Sequence, residues 1–417
     1  MPFTPNSPQS QQLSPANAND TALATPVHDI CVLGLGYVGY PTALLFAKTG
    51  FNVLGVDVNA EHLARCSAGC PYPELYAWWH AWQNAPASAS SQFEFKAAPA
   101  PAQTYIIAVP TPVDAKTKQC DLTAVTQAAA SIARVMPKGA LVILESTVPP
   151  GTTRNVLVPT LENSGLKAGV DFDVAICPER VLPGNICHEL IHNQRIVGGY
   201  TPQAAERAKA LFERVIEAQV LTTDETTAEF CKLAENTYRD VNIALANELS
   251  LVAEHLGIEI QAARALMNAH PRVNLLSPGI GVGGHCIAVD PWFFAELAPD
   301  KTPLIQTARA INDAMPAYWS QKVLADLEHL RQNTQSPVRI LALGAAYKPN
   351  IGDCRESPAL KIIAHLQAAG CEVTVYDPHV PQYSQPSENT IPENTLPDWT
   401  TLCRDKDYIL GLVPHDA

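Results

Sequence analysis

The residues Ile30-Cys31-Val32-Leu33 run without a break into Gly34-Leu35-Gly36-Tyr37-Val38-Gly39, and this junction restricts the fold more than any other feature of the chain. Four consecutive apolar residues suit a strand covered on both faces of a parallel sheet. The G-x-G-x-x-G spacing then gives a tight turn, a bare backbone and a close helix-to-strand approach, and the helix it opens can take a pyrophosphate at its N-terminus. A helix is expected over about 39–48. A second strand, Asn52-Val53-Leu54-Gly55-Val56, ends on Asp57. A carboxylate there can hold ribose hydroxyls and repels a 2′-phosphate, so NAD is favoured over NADP.

Further apolar strands are expected at 105–109, 141–144 and 172–176, with helical stretches between several of them. That alternation implies a doubly wound α/β domain. The rhythm changes near residue 222. From Thr226 to about Leu256, apolar residues Phe230, Leu233, Val241, Leu245, Leu249 and Val252 recur with a helical period. Thr226 and Glu229 form a capping-box pattern at the start, and Gly257 is a stop. After Asn333-Thr334-Gln335-Ser336-Pro337 the first rhythm returns, with a strand ending at Gly344, one ending at Asp377 and a third at 408–413. The expected fold is therefore α/β: two Rossmann-like domains joined by a central helical domain with a long spine helix. The expected boundaries are 1–28 (disordered tail), 29–221, 222–332 and 333–417.

Charge narrows the partners. Lys and Arg number 28 against 41 Asp and Glu, a net charge of −13, which argues against nucleic acid or an anionic membrane as the main partner. No apolar run reaches the roughly 18–20 residues of a membrane span. Eleven cysteines, an odd number without a C-x-x-C pair, fit a reducing, cytoplasmic setting better than a disulfide framework. The first 28 residues carry no Lys or Arg and no apolar core, so they do not read as a signal peptide.

Three groups of residues can carry chemistry. The loop Gly281-Val282-Gly283-Gly284-His285-Cys286 delivers a thiol just before an apolar stretch, a setting that can lower its pKa, and Asp290 follows at helical spacing. Lys232 and Asn236 share a helix face, where a Lys and an amide can stabilise an oxyanion, although a solvated face looks the same. Lys348 and Arg355 flank a polar loop that can bind phosphate by side-chain charge. His188-Glu189-Leu190-Ile191-His192 spells H-E-x-x-H, which would make a zinc hydrolase, but no third ligand stands out downstream and no metal is expected.

Together, and in this order, these motifs resemble the UDP-glucose/GDP-mannose dehydrogenase family from about residue 28 to the end of the chain. The resemblance also rests on Val109-Pro110-Thr111-Pro112, Glu145-Ser146-Thr147-Val148-Pro149-Pro150-Gly151-Thr152 and Cys177-Pro178-Glu179-Arg180. It implies a four-electron oxidation of a sugar C6 alcohol to a carboxylate with two NAD, through a thiohemiacetal and thioester on Cys286. By the same resemblance Lys232 and Asn236 stabilise oxyanions, Asp290 assists proton transfer, and Thr147 and Glu179 position or activate water. Gly34, Gly36, Tyr37, Val38, Gly39, Asp57, Thr111, Thr147 and Arg355 contact NAD. Glu179, Arg180, Val181, Lys232, Asn236, Gly283 and Lys348 bind the nucleotide sugar, and Arg272 reaches a neighbouring subunit's substrate in a homodimer. The segments 178–184, 270–274 and 283–293 resemble the members that use a UDP-amino-sugar, UDP-N-acetyl-D-mannosamine before UDP-N-acetylglucosamine. The product would feed a surface polysaccharide. Two departures weaken a UDP-glucose reading: Pro183 stands where those members carry a second acid, and Val289 where they carry a Lys before the Asp.

Overall fold

A computed structural model describes residues 28–85, 91–114, 117–181, 184–333, 336–383 and 399–416. The expected tail before His28, Pro183 and the middle of the expected 333–337 linker lie outside them. The first half of the chain forms an eight-stranded sheet of β1 (His28–Leu33), β2 (Val53–Val56), β3 (Phe93–Lys96), β4 (Ala102–Ile107), β5 (Leu141–Leu144), β6 (Asp173–Ile176), β7 (Arg195–Gly199) and β8 (Val220–Asp224). Their spatial order is β3-β2-β1-β4-β5-β6-β7-β8. The first six follow the doubly wound order, and β7 pairs antiparallel with β6. The helix Gly39–Lys48 packs Leu44, Leu45 and Phe46 into the core on one face, while Val125, Ile132 and Leu157 cover the other. The central strands β1, β2, β5 and β6 are apolar because both faces are covered. Strands β3, β7 and β8 escape the sequence pattern: β3 alternates Phe with charge, β7 opens on Arg195, and β8 ends in Thr-Thr-Asp near the sheet edge.

β8 runs directly into a spine helix, Glu225–His255. The expected Thr226/Glu229 capping box does not form. Asp224 caps instead, its carboxylate accepting from Thr227 N at 2.9 Å. Glu229 is turned inward, where it accepts from Gly151 N (2.5 Å) and Thr153 N (2.7 Å) and so caps the turn after β5 from a distance. The helix stops before Gly257, whose φ of +69° is the left-handed conformation glycine adopts readily.

The helix Pro303–Asp326 packs along the spine through a buried polar seam. Arg309 pairs with Asp240 at 2.6 Å, and Asn312 Nδ2 donates to Asp240 Oδ1 at 2.8 Å. Asn247 Nδ2 donates to Asn312 at 2.9 Å, while its oxygen accepts from Gly279 N at 2.8 Å. The seam thus ends on the segment that leads to Cys286. Buried polar groups that bond one another in this way favour one register of two helices, although Asp240 Oδ2 and Arg309 Nε find no hydrogen-bond partner among the described residues.

A second sheet, β9 (Arg339–Leu343), β10 (Glu372–Tyr376) and β11 (Tyr408–Gly411), is parallel in the order β10-β9-β11. It repeats the β1–β2 turn with a difference. Asp57 accepts from Leu35 N but stays partly open to solvent. Asp377, at the matching place, is sealed, accepting from Ala345 N, Ala346 N and His379 N with His415 Nε2 3.1 Å away. The second repeat keeps the acid as a structural clasp for its own turn.

Candidate active site

The cofactor end lies at the carboxyl edge of β1 and β4, where strand order reverses. Gly34 has φ +89°, and a Cβ there would lie 2.5 Å from Ala108 O. A Cβ on Gly39 would lie 1.8 Å from Gly34 O. Gly36 has open space where its side chain would be, so the backbone is bare on the side a pyrophosphate needs. Asp57 Oδ2 accepts from Leu35 N and Oδ1 from Asn59 N, both at 2.9 Å, which aims the carboxylate along the fingerprint turn. Thr111 Oγ1 donates to Thr147 O at 2.7 Å, joining two of the residues expected at the cofactor. These residues fit a dinucleotide. Two residues the sequence pattern did not single out support them: His62 Nε2 (2.7 Å) and Tyr72 OH (3.1 Å) both donate to Leu35 O.

Beside this edge opens a cleft of about 540 Å³, within the usual size for a small-molecule site. Tyr37 and Val38 enter it from the fingerprint, Glu179, Arg180 and Val181 from the turn after β6, Lys232 and Asn236 from the spine helix, Gly283 and Cys286 from the glycine loop, and Lys348 from the turn after β9. Lys232 and Asn236 are 7% and 1% exposed, so theirs is not a solvated helix face. Asn236 Nδ2 donates to Asp290 Oδ2 at 2.5 Å, and Asp290 N donates to Cys286 O at 2.8 Å. The amide and the carboxylate are thereby joined, and the backbone that carries the carboxylate is tied to the backbone that carries the thiol. The glycine loop is clamped from the C-terminal sheet. A Cβ on Gly283 would meet Tyr347 Cβ at 2.7 Å, and Gly284 N donates to Arg355 O at 2.9 Å.

The electrostatics correct one expectation. The thiol of Cys286 is not lowered; burial pushes it up to about 12, Asp290 adds to that, and Lys232 opposes it. Desolvation outweighs the loop position because the site is closed by two packed domains. Burial also raises the Asp290 carboxyl to about 6, against the pull of Lys232 and Asn236. Partial desolvation, with Arg355 nearby, lowers His285 to about 4 although the residue still reaches solvent, leaving a neutral imidazole at the cleft.

Other expected residues are engaged by protein partners or stand outside the cleft. Arg180 spends its guanidinium on Glu235 (Nε to Oε2, 3.0 Å) and on Gln194 O (2.8 Å), so it pins the Glu179 turn to the spine helix. Arg355 grips Asp353 through Nε and Nη2. Arg272 stands exposed, outside the cleft of its own chain. The H-E-x-x-H residues form the short helix Ile186–His192, with the His188 and His192 rings stacked 4.2 Å apart at 20°. Stacked imidazoles do not converge their lone pairs on one ion. Among the described residues no group of three His, Cys, Asp or Glu is placed to hold a metal. Sequence reasoning missed the roles of Glu145, Arg239 and Glu235. Glu145 is fully buried between Arg195 (3.2 Å) and Thr42 (3.2 Å), and only its place beside Ser146-Thr147 could have marked it.

Among the described residues no helix is long and apolar enough to cross a membrane. Sequence models of the UDP-glucose/GDP-mannose dehydrogenase family match the chain in three blocks: the NAD binding domain over 28–216, the central domain over 226–314 and the UDP binding domain over 341–417. The UDP-N-acetyl-D-mannosamine dehydrogenase of Methanococcus maripaludis is 42% identical over 397 residues, covering 94% of this chain and 87% of that protein. The enzyme of the same name from Yersinia pestis is 41% identical, covering 93% of each. The solved UDP-D-ManNAc dehydrogenase of Pyrococcus horikoshii superposes with a TM-score of 0.83 at 38% identity, over 93% of this chain and 89% of that one. With a dinucleotide turn, a partly buried thiol and a second nucleotide-type sheet around one cleft, this NAD-using chain belongs to the UDP-glucose/GDP-mannose dehydrogenase family.

Proposed function

We propose that the chain oxidises UDP-N-acetyl-D-mannosamine at C6 to UDP-N-acetyl-D-mannosaminuronate, with Cys286 as the nucleophile. The observation that carries this is the convergence of Cys286, Lys232 and Asn236 in one cleft, with Asp290 one hydrogen bond behind. The relatives named for this substrate support the choice of sugar. Two NAD in turn supply the hydride acceptor for the two oxidations. Residues 29–221 hold NAD through Gly34, Gly36, Gly39, Asp57, Thr111 and Thr147; residues 333–417 hold the nucleotide, with Lys348 at the cleft. Cys286 Sγ bonds C6 of the aldehyde, and its proton passes to the Asp290 carboxylate as the bond forms. The new oxyanion is met by Lys232 Nζ and the free N–H of Asn236. After the second oxidation C6 is a thioester. Water held by Thr147 and Glu179 adds to it, the C6–S bond breaks, and the thiol takes back its proton. Covalent capture keeps the aldehyde in the site between the steps.

The test is NADH released per sugar, with UDP-N-acetylmannosamine, UDP-N-acetylglucosamine and UDP-glucose offered separately. Two NADH from the first, with little turnover of the others, is the expected result. Two from UDP-N-acetylglucosamine would overturn the substrate, and one per sugar would overturn the thioester.

Asp290 sets a pH dependence. Its carboxyl, raised to about 6, is ionised above that pH and can accept the thiol proton; below it the acceptor is lost. The rate constant kcat/KM is expected to fall about tenfold per unit below pH 6. Asp290→Asn should remove that limb and lower the rate throughout by roughly 10²–10⁴; a limb that persists in the variant belongs to another group.

The chain acts as a cytoplasmic homodimer in this reading, and its product feeds a surface polysaccharide. Tyr238, Leu245 and Val252 recur every seven residues on the spine helix and are 67%, 47% and 50% exposed. Such a stripe suits a second copy, and association there is what would bring Arg272 to the neighbouring cleft. Leu245→Glu with Val252→Glu should sediment as a monomer; an unchanged sedimentation coefficient would place the interface elsewhere.

A further inference from the structure

Asn236 lies between two groups of opposite character. Its Nδ2 donates to the Asp290 carboxylate, and its Oδ1 accepts from Nη2 of Arg239, one helical turn further along the spine helix. An amide can be turned over by a half-rotation, and nothing in its shape prevents this. Here the turned amide would set NH₂ against a guanidinium, donor facing donor, and C=O against a carboxylate, acceptor facing acceptor, so neither contact could be a hydrogen bond. With both ends matched, one N–H goes to Asp290 and the second is left for the cleft that Asn236 and Cys286 both line. We propose that Arg239 is a positioning residue that locks the Asn236 amide with its donor toward the reacting C6, an inference that rests on the oxyanion role given to Asn236 above. Arg239 lines the cleft but is otherwise exposed, so replacing it leaves the core intact.

Arg239 also bears on Asp290. That carboxylate is faced by Lys232 and Arg239 from the spine helix, Glu179 from the turn after β6, the Cys286 thiol from its own loop and Cys120 from the segment after β4. Removing one cation from this set makes ionisation harder, so the acid limb of kcat/KM should move to higher pH.

The experiment compares Arg239→Gln, Arg239→Lys, Asn236→Ala and the Arg239→Gln/Asn236→Ala double variant, with UDP-N-acetylmannosamine and saturating NAD. Arg239→Gln should lower kcat about ten- to a hundredfold, below the roughly 10²–10³ for losing an oxyanion donor outright, with KM within about threefold. Arg239→Lys should recover most of the rate and the wild-type acid limb. In the Asn236→Ala background, at a pH well above the acid limb where Asp290 is ionised in every variant, Arg239→Gln should cost no further rate, because there it acts through the amide alone. Equal losses in both backgrounds, a change confined to KM, or an acid limb that stays in place would each overturn the proposal. Two NADH per sugar from the wild type keeps the underlying reading whatever the variants do; a wild type that yields one NADH fails that reading and the positioning role with it.

Discussion

Cys286→Ala is expected to abolish uronate formation, with a loss of roughly 10³-fold or more, as for removal of a covalent nucleophile. The protein should stay folded, since the side chain is only partly buried and truncation leaves a small void. The two oxidations should separate. Lys232, Asn236 and Asp290 remain, so slow, reversible formation of the aldehyde is still possible, whereas the second oxidation has no carbon held at the right level. The check is NADH per sugar together with mass spectrometry of the product. A variant that still yields two NADH and the acid at a tenth of the wild-type rate would reduce Cys286 to a packing residue. Because the resting thiol is a weak acid, at about 12, alkylation by iodoacetamide should be slow in the free enzyme at neutral pH.

Gly39→Ala is the second change expected to be severe. The added methyl would sit 1.8 Å from Gly34 O and 3.0 Å from the Ala108 methyl group. Neither Gly34 O nor the helix start can give way without moving the turn that carries Gly36. A distortion of about 3 kcal/mol in the bound state weakens binding roughly a hundredfold. The expected result is a rise of that order in KM for NAD, with a smaller effect on UDP-sugar affinity because Lys348 is carried by the second sheet and not by the fingerprint turn. Titration of each ligand separately decides it, and an unchanged NAD affinity would mean that the turn does not touch the cofactor.

The parts of this molecule legible in the sequence are those where one local rule acts alone. The apolar run of β1, the fingerprint glycines and Asp57 each follow from backbone sterics and burial within one turn. The spine helix declared itself by period, and its end by Gly257. Where a tertiary partner decides, the sequence was silent or misleading. Glu229 has the spacing of a capping residue, yet it caps a turn some 76 positions earlier. Lys232 and Asn236 look like any polar pair on a helix until the glycine loop and helix Asp290–Leu297 close over them. Arg239 gives no signal, since its function lies in the acceptor it finds. The thiol pKa was read from loop context, but its value is set by desolvation, which depends on the other domain.

The clamp on the glycine loop has a mechanical meaning. Gly283 and Gly284 lie against Tyr347, whose neighbour Lys348 is the residue proposed to grip the nucleotide. The handle of the substrate and the nucleophile that attacks it are therefore borne by touching backbone segments, so energy gained on the handle can be used to settle the sulfur. Binding energy from a non-reacting part of a substrate that is spent in this way shows up in turnover rather than in affinity alone. Free N-acetylmannosamine, stripped of its nucleotide, should then forfeit kcat as well as KM, and adding UDP alongside it should return part of the lost rate without any covalent link between them.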